Sequence, residues 1–129
     1  MQYLHTMLRV RDLDRAVDFY TKVLGFEQTS REDYTDGRFT LCFLRAGGDP
    51  DGGPMLELTY NWDTDDYDNG NAYGHLAYRV DSIEEIGRKL AAFGSDFSWG
   101  PGETPSGNRR MAFVTDPDGY AIELLQNLT

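Results

Sequence analysis

Apolar and polar positions along the chain fall into two runs of the same order. An alternating segment, YLHTMLRV (residues 3–10), precedes RDLDRAVDFYTKVLGF, where Leu13, Ala16, Val17, Tyr20 and Leu24 recur at helical spacing and Gly25 offers a stop. FEQTSRE, RFTLCFLRA and PMLELTYN then read as three strands. The order begins again at AYGHLAYRV (residues 72–80). DSIEEIGRKLAAFGSDF predicts a helix with Ile83, Ile86 and Leu90 inward, a Ser82/Glu85 capping pattern at its start and Gly94 at its end. DFSWG, RRMAFVTD and YAIELLQN are the strands that follow. GGDPDGG and DPDG, rich in residues that tolerate tight or left-handed backbone, are the turns before the last strand of each half.

Each half therefore predicts β-α-β-β-β, an α+β fold of two tandem modules in one domain, 1–129. Module one covers about 1–61, a polar linker about 62–71 and module two about 72–129. One helix and four strands cannot cover both faces of a sheet. The modules are thus expected to pair, their sheets forming a barrel-like cleft, within the chain or across a dimer. The acidic linker DTDDYDNG reads as a solvated loop, since no glutamate closes it as a calcium loop would require.

Composition narrows the setting. A hydrophobic content of 40% argues against disorder, and a net charge of −10 argues against nucleic acid and anionic membrane surfaces as partners. There is no long apolar run and no basic-then-apolar leader, and the single cysteine, Cys42, cannot form an internal disulfide. The cytoplasm is the expected compartment, with Cys42 buried and inert in FTLCFL.

The repeat also carries chemistry. The two histidines of the chain, His5 and His75, stand 70 residues apart, each followed four positions later by arginine and then valine. Glu57 lies between Leu56 and Leu58 on the last strand of module one, and Glu123 between Ile122 and Leu124 on the last strand of module two. Strand neighbours point to opposite faces, so each glutamate turns away from its apolar neighbours. Two modules related by a pseudo-twofold would bring two imidazoles and two carboxylates to one point. That donor set suits a divalent first-row metal, with two positions left for water or substrate.

These segments resemble the glyoxalase I family, the lactoylglutathione lyases of the vicinal oxygen chelate superfamily. The resemblance runs through LHTMLRVRDLDRAVDFYTKVLGF, LELTYNW, YGHLAYRVD and AFVTDPDGYAIEL, nearly the whole chain. It implies metal ligands at His5, Glu57, His75 and Glu123. Histidine at the first ligand and a short chain match the nickel- or cobalt-activated branch; nickel is favoured, cobalt should serve, and zinc fits the same ligands. The implied reaction converts the hemithioacetal of glutathione and methylglyoxal into S-lactoylglutathione. Glu123 is then the main candidate base, with Glu57 its counterpart.

The resemblance further places Arg9 and Asn61 at the γ-glutamyl end of glutathione, and Arg109 and Arg110 near the glycine carboxylate. Where some relatives carry a basic residue shortly before GH, this chain has Asn71, so one carboxylate contact is missing. It also implies a homodimer whose metal sites each take module one from one subunit and module two from the other. Tyr60, Trp62 and Phe43 read as core or site wall. The superfamily's other members are the alternatives: epimerases, ring-cleaving dioxygenases, glutathione-transferring resistance enzymes and metal-free drug-binding proteins. Dioxygenases favour two histidines and one carboxylate, and a pure binder has no need of two glutamates.

Overall fold

A computed structural model describes residues 1–128 and divides the chain into two compact units, Met1–Asp68 and Asn69–Thr129. The first contains β1 (His5–Arg9), α1 (Leu13–Asp18) continued by a π-helical turn (Phe19–Val23), β2 (Glu27–Tyr34), β3 (Phe39–Arg45) and β4 (Met55–Asn61). The second contains β5 (Leu76–Arg79), α2 (Ile83–Phe93), β6 (Trp99–Glu103), β7 (Arg109–Thr115) and β8 (Ala121–Asn127). Both units are βαβββ, as the periodicity predicts.

The sheets repeat each other as well. Their strand orders are β1-β4-β3-β2 and β5-β8-β7-β6, and in each the first strand runs parallel to the last. The first strand therefore lies directly beside the last, which carries the glutamate. The other pairings are antiparallel.

One face of each sheet is packed by its own helix. In unit one Leu8, Cys42, Leu44, Leu56 and Leu58 are buried together with Leu13, Ala16, Phe19, Tyr20 and Val23 of the helical segment. In unit two Ala112, Val114, Ile122 and Leu124 are buried with Ile83, Ile86 and Leu90. Each such aliphatic side chain contributes about 1.5–3 kcal/mol when fully buried. Side chains on the opposite face of each sheet alternate with these, and no element of the same unit covers that face.

The helices end as their sequences specify. The Ser82 hydroxyl accepts from the Glu85 backbone N–H at 3.1 Å, and Gly94 closes α2 in the left-handed region at φ +85°. Only half of the capping box forms, because Glu85 pairs with Arg88 instead of reaching back. In unit one the Asp12 carboxylate caps α1 by accepting from Arg15 N.

Two departures are informative. The expected helix through Leu24 becomes a π-helical turn after Asp18, where the Thr21 hydroxyl donates back to the Val17 carbonyl at 2.7 Å. The widened turn brings the adjacent Phe19 and Tyr20 both inward, leaving Val17 and Leu24 only half-buried. The strand expected over DFSWG begins only at Trp99 and runs to Glu103, its pairing shifted between Trp99 and Gly102. The Asp96 carboxylate accepts from the Phe97 N–H, and Gly100, at φ +79°, stands where the pairing shifts.

The linker is an exposed loop, and its residues through Asp68 belong to unit one. Arg38 makes a two-point ion pair with Asp63 at 2.6 and 2.9 Å. Arg11 donates to the Tyr67 carbonyl at 2.8 Å, and its guanidinium lies 5.7 Å from the centre of the Tyr67 ring. The acidic segment is thus an exposed loop, as expected, tied at Asp63 and Tyr67 by Arg38 and Arg11.

Candidate metal and substrate site

The parallel pairing of first and last strands builds the same half-site twice. His5 and Glu57 emerge on the open face of one sheet with His5 Nε2 3.4 Å from Glu57 Oε1. His75 and Glu123 emerge on the open face of the other with His75 Nε2 3.3 Å from Glu123 Oε2. The histidines are about two-fifths exposed at 38% and 43%, whereas the glutamates are largely covered at 14% and 18%. Accessible imidazoles beside sheltered carboxylates leave the donor atoms open to a ligand.

The separations test whether a metal would fit. Two donors bound side by side to one ion at about 2.1 Å lie about 3.0–3.4 Å apart, depending on the ligand angle. Both observed pairs fall in that interval, beyond the usual N–H···O range of about 2.7–3.2 Å. The donor set is nitrogen and carboxylate oxygen, suited to first-row divalent ions. No three or more His, Cys, Asp or Glu side chains gather as a metal-binding group among the described residues. Each unit carries one two-donor pair.

Phenylalanines repeat along with the ligands. Phe43 meets the edge of His5 at 5.5 Å between ring centres and 82° between planes, and Phe113 meets His75 at 5.3 Å and 82°. These contacts fix the imidazole planes. Phe113 stands 70 residues after Phe43, a signal within the sequence that the list of aromatic candidates passed over. Of the three aromatics in that list, only Phe43 lies on the ligand face. Tyr60 is in register with Thr40 on the helix side, and Trp62 donates its indole N–H to the Thr40 hydroxyl at 2.9 Å.

Local turns aim the strands. In DPDG the buried Asp116 carboxylate accepts from the Asp118 and Tyr120 N–H groups, both at 2.9 Å, and holds the entry to β8 two residues before Ile122. The Tyr73 hydroxyl donates to the Ala121 carbonyl at 3.0 Å, tying the segment before His75 to the start of β8. Burial pushes the Tyr73 phenol up, which keeps it a neutral donor.

The halves differ beside their glutamates. The Thr59 hydroxyl donates to Glu57 Oε2 at 3.3 Å. Leu125 occupies the corresponding position by Glu123, and no side chain among the described residues donates to Glu123 Oε1. The sequence shows this difference once strand alternation is followed two residues past each glutamate.

The expected substrate contacts divide. Arg9 lies on the His5 face of β1, since Leu8 between them is buried on the other. Asn61 ends β4 on the Glu57 face, and its amide Nδ2 donates to the Tyr67 hydroxyl at 3.1 Å. Tyr67, from the linker, is a contact that sequence reasoning did not identify. Arg109 and Arg110 are adjacent on a strand and take opposite faces. Arg109 shares the side of Met111 and Phe113. Arg110 is in register with Gln126, whose side-chain oxygen accepts from Ile83 N at the start of α2 at 2.7 Å. That places Arg110 on the helix side, away from His75 and Glu123.

Residues 2–124 match the model of the Glyoxalase/Bleomycin resistance protein/Dioxygenase superfamily. The chain is 48% identical over 126 residues to the lactoylglutathione lyase of Neisseria meningitidis serogroup B, covering 98% of this chain and 91% of that one. It is 43% identical to the lactoylglutathione lyase of Escherichia coli O157:H7, covering 98% and 93%. Among solved structures, the trypanothione-dependent glyoxalase I of Leishmania major superposes with a TM-score of 0.82 at 41% identity, over 98% of this chain and 86% of that one. The glyoxalase I of Zea mays gives 0.88 at 33% identity; this chain spans 98% of itself but only 47% of the maize chain. By its matched length, its repeated half-sites and these identities, the chain belongs to the Glyoxalase/Bleomycin resistance protein/Dioxygenase superfamily and, within it, to the family of the lactoylglutathione lyases.

Proposed function

We propose that the protein is a metal-dependent lactoylglutathione lyase of the cytoplasm, converting the hemithioacetal of glutathione and methylglyoxal into S-lactoylglutathione. The duplicated His–Glu pair, at 3.3 and 3.4 Å in the two units, is the observation that carries this reading. His5, Glu57, His75 and Glu123 would hold the ion, nickel or cobalt in preference to zinc. When bound, such an ion supplies a Lewis acid to adjacent substrate oxygens and offsets the negative charge that develops as a proton leaves carbon.

The chain's own residues supply the rest. Glu123, without a side-chain donor on Oε1, takes the proton from the carbon bearing sulfur and returns it to the neighbouring carbon. Glu57, engaged by Thr59, remains a ligand. Arg9 pairs with the α-carboxylate at the γ-glutamyl end. The Asn61 carbonyl accepts from the ammonium there, because its Nδ2 is already committed to Tyr67. Arg109, on the face of Phe113, is the favoured candidate beside the glycine carboxylate over Arg110, which takes the opposite face.

The working unit is a homodimer in which His5 and Glu57 of one subunit face His75 and Glu123 of the partner subunit. Reconstitution of metal-stripped protein on the glutathione–methylglyoxal adduct tests the chemistry. Nickel or cobalt should restore several-fold more activity than zinc, and no activity with any of the three would overturn the reading. Subunit exchange between inactive His5→Ala and inactive His75→Ala proteins tests the assembly. A shared site regenerates one intact centre per mixed dimer, whereas sites built within one chain stay broken at every mixing ratio.

A further inference from the structure

Module one carries a cation that module two lacks. On the open face of unit one, His5 is in register with Met55. The next step of the β3–β4 ladder beyond Leu44–Leu56 places Arg45 on the other side of Met55. Leu44 is buried on the helix side, so Arg45 turns to the face of His5 and Glu57, and its guanidinium lies 3.7 Å from the Met55 sulfur. At the positions that correspond by the repeat, module two has Thr115 beside Ala121. Along this face Arg9, in register with Thr59, lies on one side of Glu57, and Arg45 lies on the other.

Arg45 is covered but poorly satisfied. Its side chain is only 15% exposed, less than that of Arg11, Arg31, Arg38 or Arg88. Arg31, Arg38 and Arg88 meet carboxylates at hydrogen-bond distance, whereas Arg45 has only the wholly exposed Asp51, at 3.5 Å. Its Nε is buried without an acceptor. Glu27, opposite Arg45 in the β2–β3 register, is exposed, and among the described residues it forms no ion pair with Arg45. A guanidinium taken out of water without oxygen acceptors is costly, and an anion that reaches it offsets that cost.

We propose that Arg45 reads a carboxylate on the aldehyde-derived part of the substrate. It thereby extends the substrate class from the methylglyoxal adduct to adducts of 2-oxoaldehydes that end in a carboxylate. Two strand spacings of about 4.8 Å separate His5 from Arg45. The arginine side chain closes part of that span, and a carboxylate two methylenes beyond the reacting carbonyl closes the rest. The guanidinium fork offers such a group two parallel donors. His5, Met55, Glu57 and Arg45 all belong to unit one. This inference rests on the function proposed above.

The test compares the glutathione adducts of 4,5-dioxopentanoate and of its methyl ester on nickel-loaded wild type and Arg45→Met, which keeps the apolar packing and removes the charge. In wild type kcat/KM should favour the acid over the ester about tenfold, the low end for a charge-assisted contact. In Arg45→Met that ratio should fall to about one. The ratio is taken within each protein, so effects on metal content or on the folded fraction cancel. Arg45→Lys keeps the charge but not the fork and should hold an intermediate ratio, which decides the matter should Arg45→Met fail to fold. A wild-type ratio near one overturns the proposal. So does an equal loss on both adducts in either variant, which would put Arg45 at a carboxylate of the thiol or in the fold alone. If wild type turns over no adduct, that of methylglyoxal included, the lyase reading falls and this inference with it.

Discussion

Glu57 and Glu123 occupy equivalent positions, yet their neighbours differ, and paired substitutions should expose the difference. Glu123→Gln keeps a neutral ligand oxygen but removes the proton acceptor. A positioned general base is worth about 10²–10⁴ in rate, or roughly 2.7–5.4 kcal/mol at about 1.36 kcal/mol per decade. Turnover of Glu123→Gln should therefore fall at least about a hundredfold when the metal site is saturated. Glu57→Gln also keeps an oxygen, and its partner Thr59 Oγ1 at 3.3 Å can still bond the amide. Its kcat should stay within about tenfold of wild type, with the larger loss in metal affinity, since a charged ligand has become neutral.

Thr59→Val tests the reason for the asymmetry. It removes the hydroxyl at nearly constant shape and should cost about 1 kcal/mol or less in stability, the worth of one ordinary hydrogen bond. Alone it should leave kcat near wild type. Combined with Glu123→Gln it frees Glu57 to act as acceptor, so the double variant should be measurably faster than Glu123→Gln alone. The assay is steady-state thioester formation at saturating nickel, with metal content measured on each sample. Near-full turnover in Glu123→Gln beside a dead Glu57→Gln would put the base on the wrong module. Equal losses in both would show that the Thr59–Leu125 difference has no bearing on the roles.

Arg9→Ala should chiefly raise KM, by about tenfold or more for the loss of one charge-assisted contact, and an unchanged KM would return Arg9 to a surface role. Burial raises the Cys42 thiol above its usual range and outweighs the nearby Arg31, so thiol reagents should label native protein far more slowly than unfolded protein; comparable rates would contradict the packing of β3. Hydrogen bonding and charge from Arg38 hold the Asp63 carboxyl below its ordinary 3.8. Its contribution to stability is therefore present above that value and lost as pH falls through the lowered one. The difference in thermal midpoint between wild type and Asp63→Asn should accordingly shrink on acidification, and a constant difference from pH 7 to pH 2 would refute the pairing.

Periodicity alone gave the element order, because each helix and strand buries one face and the apolar residues must follow that geometry. Where the signal was weaker, the competing physics is visible. The π-helical turn depends on Thr21 bonding back to Val17 and on two adjacent aromatics finding space, which spacing on an ideal helix cannot express. The register shift within β6 falls at Gly100, whose positive φ the apolar pattern does not express. The linker is the exposed loop that its charge composition suggests, and its ties to Arg11 and Arg38, distant along the chain, are what composition could not express.

The four candidate donors stand out because they occur twice, and a repeat gives each residue an independent check. The displacement between the halves changes along the chain, from 70 residues at the histidines and phenylalanines to 66 at the glutamates. The connections explain the change. Nine residues separate β3 from β4, and five separate β7 from β8. The four-residue difference falls in surface turns, so it leaves the registers on either side intact. The first strands and the strands just before that turn map with the larger displacement, and the last strands with the smaller. Applied to the whole open face, this rule finds Phe113, Arg79 and Asn127 as well as the ligands. It also finds the exceptions, Leu125 in place of Thr59 and Arg109 in place of Phe39. A duplicated fold repeats its donors position by position; the places where the copies diverge, Thr59 against Leu125 above all, are where one glutamate can take a role that the other does not.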